Sequence, residues 1–585
     1  MDAGEIILKH ALHNAVSFGG RASSGAVIGK LIAENPDAKK ELSSLGKIIS
    51  EKIAYVNSLS IEAQKKLLEE NFSGFSEERA AVLEERRKKD ASGERELPSL
   101  LGDTSAVRMR MAPFPSGPLH IGNARMTVLN DEYVKKYGGR LVLFFDDTVG
   151  TESSSVETSE GTRQVAQKDI LPEAYALIPE SLRWLGVEWH EEFYKSDRLE
   201  LFYEHAEALL RDGNAYVCTC DGNEFRTKFK AVGKECPCRS ERISEHLARW
   251  KGMLDGSFSS GKAVVRIKSG MDNPDPALRD HVIMRITEKE HPRVGRKYRV
   301  WPLLEFSWAI DDHLIGSTHI LRGADLVKED RVEEIVWDYF GWKHAHFLHY
   351  GKFRLEEGAG TISKSKSKEK IRSGEFVGWD DPRTWSLQSL ARRGIRPAAV
   401  RKFLLSFGMS LVDVAVEAEI LYGMNRELID PTSDRYFFVG SGNAIDLEIG
   451  ADAEGTAPLH PDNPARGVRK YSVSSGEKVS LEGADLPLFA SGPVRLKGLG
   501  IFEQAGEREE LVPSEGAPVA TIHFVPLKNS IPAKILMPDG AWIGGLLESA
   551  GSTIKPGQVV QLERFGFCRL DCWKDGAAEF WMAHK

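Results

Sequence analysis

The sequence predicts a multi-domain α/β protein: a doubly wound, Rossmann-like parallel sheet split by an insert, with a helical N-terminal domain before it and a C-terminal β-barrel region after it. Three observations predict this. A chain of 585 residues is more than one hydrophobic core organises. From Val107 the pattern runs apolar strand, Pro/Gly turn, helix, apolar strand, which opens a βαβ unit. Beyond residue 425 helical periodicity gives way to short strands punctuated by Gly, Pro, Asn and Asp.

Residues 1–103 carry Ala, Glu, Lys and Leu at helical spacing, as in IEAQKKLLEENF, so a helical domain is expected, with Glu84–Lys89 as a solvated helix face. Residues 104–212 hold VRMRMA, PFPSGPLHIG, NARMTVLNDEYVKKY and LVLFF, the first half of the parallel sheet. An insert follows at 213–280, the second half of the sheet at 281–350, and a mainly helical junction at 351–424. Residues 425–585, with RYFFVGSGNAIDLEIG, VRLKGLG and WIGGLLES, read as one or two barrels.

The net charge of −8 excludes a protein that coats nucleic acid through overall basicity, while leaving room for a local basic face. MDAGEIILKHALHNAV lacks the basic and continuous apolar regions of a signal peptide, and no run approaches eighteen apolar residues. A soluble cytoplasmic protein with no membrane partner is expected.

The most informative segment lies between the first strand and helix: Pro113, Ser116, Gly117, His120, Gly122 and Asn123 in PFPSGPLHIGN. Small residues let the backbone approach a nucleotide, and the helix N-terminus offers free N–H groups to phosphate oxygens. His120 is the expected donor to charge developing on the α-phosphate. Far downstream, Thr361-Ile-Ser363-Lys364-Ser365 sits in a Gly-flanked loop of lysines, suited to neutralising a leaving pyrophosphate. Alone, each motif also reads as a structural turn or a solvated basic loop; in this order, about 240 residues apart, they read together as a site for ATP with Mg²⁺.

Four cysteines cluster as Cys218-Thr-Cys220 and Cys236-Pro-Cys238, a set that fits a closed tetrahedral Zn²⁺ site with a structural role, the alternative being four free thiols. Cys568 and Cys572 read as packing residues. The histidines at 344, 346 and 349 show no ligand spacing, and the basic residues of LARRGIRPAAVRK are candidates for phosphate contact.

The two motifs resemble the HIGH and KMSKS signatures of class I aminoacyl-tRNA synthetases. RMRMAPFPSGPLHIGNARMTVLNDEYVKKYGG, FSWAIDDHLIGSTHILRGADL, GWDDPRTWSLQSLARRGI, NRELIDPTSDRYFFV and ERFGFCRLD are similar to the glutamyl/glutaminyl branch, and the helical N-terminal region to its archaeal-type glutamyl members. The resemblance spans essentially the whole chain. It implies catalysis by His120 and Lys364, ATP held by both motifs, an acceptor-stem-binding insert and an anticodon-binding β-barrel region. It also implies glutamate and tRNA-Glu as substrates, with tRNA-Gln an open alternative, and a monomer.

Within that branch, Arg110 matches the arginine on the substrate side-chain carboxylate, Asp146 the acid on the α-amino group, and Leu304 the position of a tyrosine touching the side chain. Arg322 matches the arginine of glutamate-specific members, whereas glutaminyl members carry an uncharged residue there. The chemistry agrees, because a guanidinium pairs with a carboxylate and a neutral amide would leave a buried cation uncompensated. Four departures stand beside this: Asn123 for the second signature histidine, Phe144 for an arginine, Leu304 for the tyrosine, and Thr361 for the first signature lysine. Three other readings are open: a glutaminyl or otherwise respecified enzyme, a non-catalytic tRNA-binding paralogue, and a nucleotidyltransferase sharing only the fold.

Overall fold

A computed structural model of the chain describes residues 3–17, 22, 27, 31, 42–72, 96–149, 155–158, 161–164, 169–356, 364–506 and 509–585. They fall into two compact units, Met1–Arg95 and Glu96–Lys585.

The first unit contains helices α1 (Ala3–Ser17), α2 (Leu42–Asn57) and α3 (Ile61–Asn71). Ile7, Ala11 and Ala15 recur at helical spacing on α1 and are buried with Ile49, Ile53 and Val56 of α2 and Leu68 of α3. Ser60 caps α3 by accepting the amide of Ala63. The charged run 84–89 lies outside the described residues.

In the second unit the expected βαβ opening is present: β1 (Arg108–Met111), α4 (Ile121–Tyr137), β2 (Arg140–Phe145), then β3 (Glu191–Tyr194). β2 pairs in parallel with both β1 and β3. A second parallel pair, β4 (His319–Gly323) and β5 (His346–Tyr350), adjoins β1, because the amide of Thr318 donates to Arg108 O at 2.9 Å. The spatial order is thus β3-β2-β1-β4-β5. Where the order reverses, between β1 and β4, a doubly wound sheet opens a crevice at the strands' carboxyl ends. Met109, Met111, Leu141, Leu143 and Phe145 pack this sheet against Val128, Leu129 and Tyr133 of α4.

Helices α5 (Leu304–Leu314) and α6 (Val327–Phe340) flank β4 in sequence and supply buried acidic residues to the crevice. Residues 215–218 and 264–267 of the cysteine-bearing insert form a four-stranded antiparallel sheet with 282–286 and 300–302, so this sheet runs past residue 280 and the parallel sheet resumes only at β4. The junction contains α7 (Lys364–Arg372) and α8 (Leu387–Arg393). Two seven-stranded sheets follow, each around its own apolar core; among the described residues their edge strands are not paired to each other, so the predicted barrels take the form of half-barrels. No helix of the described residues is long and apolar enough to cross a membrane.

Candidate active site

Two glycines shape the loop leaving β1. Gly117 has φ +135°, and a Cβ there would stand 2.9 Å from the Trp379 ring, so Trp379 packs on this loop. At Gly122 a Cβ would lie 2.8 Å from Cε1 of His120, whose imidazole covers the glycine. His120 is the N-cap of α4: its Nδ1 accepts the amides of Gly122 at 3.0 Å and Asn123 at 3.3 Å. With Nδ1 accepting, the proton of the neutral ring resides on Nε2, which makes that nitrogen a donor. Trp385 O accepts the amide of Ile121 and Leu119 O that of Leu387, fixing the loop to the start of α8. The half-buried Ser116 donates its amide to Phe114 O, and Pro113 O accepts the amide of Asp146 at 3.3 Å, which joins the nucleotide loop to the end of β2. The side-chain oxygen of Asn123 is buried without a hydrogen-bond partner among the described residues.

The three charges expected to read an amino acid lie on, or one residue past, neighbouring strands at the reversal point. Arg110 of β1 forms a two-pronged ion pair with Asp312 of α5, Nε–Oδ1 3.0 Å and Nη2–Oδ2 2.7 Å, and its guanidinium lies 3.7 Å over the Trp308 ring. Asp146, one residue past β2, has Lys195 Nζ at 3.8 Å and accepts from Thr148 at 3.3 Å. Lys195 is fully buried, donates to Ser307 Oγ and sits 3.4 Å from the centre of the same Trp308 ring. Burial pushes the Asp146 carboxyl up and the Lys195 ammonium down, each opposed by the other's charge. Arg322 of β4 meets Glu333 of α6 at 2.8 and 3.1 Å and Asp330 at 3.1 Å, and His349 of β5 lies 2.7 Å from the far side of Asp330.

Asp147, beside Asp146, anchors the strand end: Oδ1 accepts the amide of Ser196 and Oδ2 the hydroxyls of Ser196 and Tyr175. His291 accepts the amides of Arg293 and Val294 at Nδ1 and therefore donates from Nε2 to Asp147 O at 2.8 Å; its burial holds the imidazole below its ordinary range and neutral.

Leu304 opens α5 and packs in one apolar cluster with Val142, Phe144, Trp308 and Ile315. Phe144 stacks on Phe193 at 5.2 Å and meets Trp308 edge-on at 5.3 Å. Two of the departures noted in the sequence are therefore one packing unit, with Trp308 carrying the cations on its faces and the apolar residues at its edge.

Lys364 begins α7 and Ser365 is exposed on its first turn, whereas Thr361 and Ser363 lie outside the described residues. Further along α7, Lys368 reaches Asp169 at 2.9 Å, which also receives Lys289 at 2.6 Å.

In the insert, the thiols of Cys218, Cys220, Cys236 and Cys238 all lie within 4.8 Å of one another, with Cys218–Cys236 at 4.0 Å and Cys220–Cys238 at 3.7 Å. Tetrahedral Zn–S bonds of about 2.3 Å require sulfur separations of about 3.8 Å, so the set fits a closed zinc centre. Four thiolates around one Zn²⁺ leave two negative charges, and Arg266 and Arg249 interact electrostatically with Cys218 and Cys238. The hydrogen bond from Cys236 and the charge of Arg266 pull the Cys218 thiol down to about 5 against its burial.

Residues 106–431 match tRNA synthetases class I (E and Q), catalytic domain, and residues 433–513 and 521–571 match two anticodon-binding domain families of the same class. Similar curated proteins include the glutamate–tRNA ligase of Methanothermobacter thermautotrophicus, 39% identical over 99% of each chain. Another is the glutamate–tRNA ligase of Pyrococcus furiosus, 38% identical over the full length of both. The chain belongs to the class I tRNA synthetases of the E and Q type.

Several residues of this synthetase's site carry no local signal in the sequence. Lys195, Trp308, Asp312, Asp330 and Glu333 come from three separate segments, and nothing in their spacing marks them as partners of Asp146, Arg110 and Arg322. The buried acidic pair inside the apolar run FSWAIDDHL is the one sign available beforehand, since charges at core positions require partners. Of the basic residues suggested for phosphate contact, Arg396 and Lys402 are exposed, and three others find partners within the protein. Arg393 is fully buried and donates to Met582 O and Ala583 O, Arg392 pairs with Asp571, and Arg401 with Asp131.

Proposed function

We propose that this synthetase joins L-glutamate to tRNA in two steps, glutamyl-adenylate formation from ATP and transfer to the tRNA's terminal ribose. The observation that carries it is the placement of Arg110 on β1, Arg322 on β4 and Asp146 just past the end of β2, beside the His120 loop. Nε2–H of His120 and the backbone around Gly117 and Gly122 receive the phosphates, with Pro113, Ser116 and Asn123 completing the loop. Lys364, with Ser363 and Ser365, neutralises the departing pyrophosphate, and Mg²⁺ arrives with the nucleotide.

Asp146 holds the substrate ammonium, and Arg110 and Arg322 face its side-chain carboxylate, so the α-carboxylate is aimed at the α-phosphate. Leu304 lines the pocket as an apolar wall. No protein nucleophile takes part; positioning and charge stabilisation lower the barrier. Zn²⁺ held by Cys218, Cys220, Cys236 and Cys238 staples the acceptor-stem insert, and the half-barrels read the anticodon of tRNA-Glu, with the chain acting as a monomer.

A glutamine-specific reading has one observation in its favour: Arg322 is already neutralised by Glu333 and Asp330. Aminoacylation of isolated tRNA-Glu and tRNA-Gln with each labelled amino acid separates the two. Glutamate incorporation that is lost in Arg322→Ala supports the proposal; incorporation of glutamine alone overturns it.

A further inference from the structure

Both guanidiniums assigned to the substrate side chain have their forks filled by protein carboxylates. Arg110 meets Asp312, and Arg322 meets Glu333 and Asp330. All of these side chains are buried, with Glu333 and Asp312 almost completely so. Two guanidiniums therefore already serve three carboxylates; Lys195, which shares the Trp308 ring with Arg110, is turned to Asp146, and His349 lies against Asp330.

A substrate carboxylate brought to Arg322 makes four acidic groups around two guanidiniums whose side chains are themselves buried. Like charges at such separations in a low-dielectric interior do not all stay ionised. The group with least compensation has to give up its charge.

Resting on the assignment of Arg322 to the substrate carboxylate, we propose that Glu333 is a specificity-determining counter-carboxylate. It occupies the Arg322 fork while the pocket is empty, and glutamate displaces it as it takes up one proton from solvent and stays buried as the neutral acid. The groups facing Glu333 agree with this. Among the described residues Arg322 of β4 is the one cation paired directly with it; Asp312 of α5 opposes its charge; Arg110 of β1 acts on it from a distance but is paired with Asp312; and Asp330 of its own helix competes for the same guanidinium. Burial already pushes Glu333 up to about 7, so little further repulsion is needed to protonate it near neutral pH.

The device also bears on selectivity. A neutral glutamine side chain does not take Arg322 from an ionised Glu333, because the exchange would replace a charge-assisted pair with a weaker neutral contact. Glutamate competes on equal terms and is admitted with a proton. The linkage sign follows: below about 7 Glu333 in the free enzyme is already protonated and glutamate affinity is flat with pH. Above it each binding event consumes a proton, and affinity falls by up to about tenfold per pH unit until the raised value in the complex is passed.

The test is calorimetric titration of the full chain with glutamyl-sulfamoyl-adenosine, a non-reacting adenylate mimic, in buffers of differing ionisation enthalpy at pH 6 and pH 8. The expected result is close to one proton taken up per site by the wild type at pH 8, little at pH 6, and none in Glu333→Gln at either pH. Absence of uptake by the wild type at pH 8, or equal uptake in Glu333→Gln, overturns the proposal. Arg322→Ala distinguishes the two levels of the argument: unchanged affinity there removes the assignment of Arg322 itself, whereas lost affinity combined with pH-independent wild-type binding removes only the role of Glu333.

Discussion

The amide of Gly122 donates to Nδ1 of His120 at 3.0 Å, and the imidazole fills the space that a Cβ on Gly122 would need. The glycine therefore sets both the position of the ring and the nitrogen that carries its proton. Gly122→Ala is expected to turn the imidazole and lower kcat for ATP–pyrophosphate exchange by about 10²-fold, as loss of one preorganised donor does. Stability should change by less than about 1 kcal/mol, since alanine is the better helix former at this first-turn position. Exchange and thermal melting on the same preparation check both halves, and unchanged exchange removes the ring's orientation from the mechanism.

Asp312 is the counter-ion of a buried guanidinium, so its loss strands a charge. Asp312→Ala should destabilise the second unit by about 3–5 kcal/mol, whereas replacing Arg110 and Asp312 together by Met and Leu should cost less. Urea unfolding of the three proteins decides this; a double replacement as damaging as the single one would mean that packing of Arg110 over Trp308, rather than charge, dominates.

Chelation should act on the insert and leave the amino-acid pocket intact. The purified chain is expected to carry one zinc by elemental analysis, and Cys220→Ser with Cys238→Ser to lose it. In that variant proteolysis should begin between residues 215 and 245 and the KM for tRNA should rise severalfold, with the KM for ATP little changed. Zinc-free protein with unaltered protease resistance would leave the cluster as four packed thiols.

His584 accepts the Asn425 amide at Nε2 and donates from Nδ1 to Lys585 O, an arrangement open to the neutral ring. Burial, reinforced by Arg426 and Arg393, lowers its pKa to about 4. The folded value is below the unfolded one, so the stability held above about 6.5 is lost as pH falls toward 4. The chain should be about 2 kcal/mol less stable at pH 5 than at pH 7.5 on this account. His584→Gln should remove most of that difference; an identical acid sensitivity in the variant would assign it to other groups.

The architecture was legible where the chain announces it locally. The strand–turn–helix around His120 and the strand-dense tail each follow from periodicity and turn residues within a short window. The paired cysteines likewise stood out by spacing, and their geometry has the shape that spacing implies. The charges around Arg110 and Arg322 were not legible, because Asp312 lies more than 200 positions from Arg110 and helical periodicity cannot tell a buried acid with a distant partner from a surface one. For the converse reason Arg392 and Arg393 look in sequence like an exposed basic pair, yet α8 lies between the sheet domain and the last strands, where both find acceptors.

That burial of Arg393 has a practical consequence for recombining such enzymes. The border between the catalytic and first anticodon-binding families falls near residue 432, an obvious place to graft a foreign tail onto this body. A graft there would leave a guanidinium inside the molecule facing backbone it has never met, without Met582 O, Ala583 O or the Asp571 partner of its neighbour. The exchangeable module is therefore larger than the sequence families suggest: α8 travels with the tail, and the seam belongs before Ser386, where it would have to be mended against the nucleotide loop.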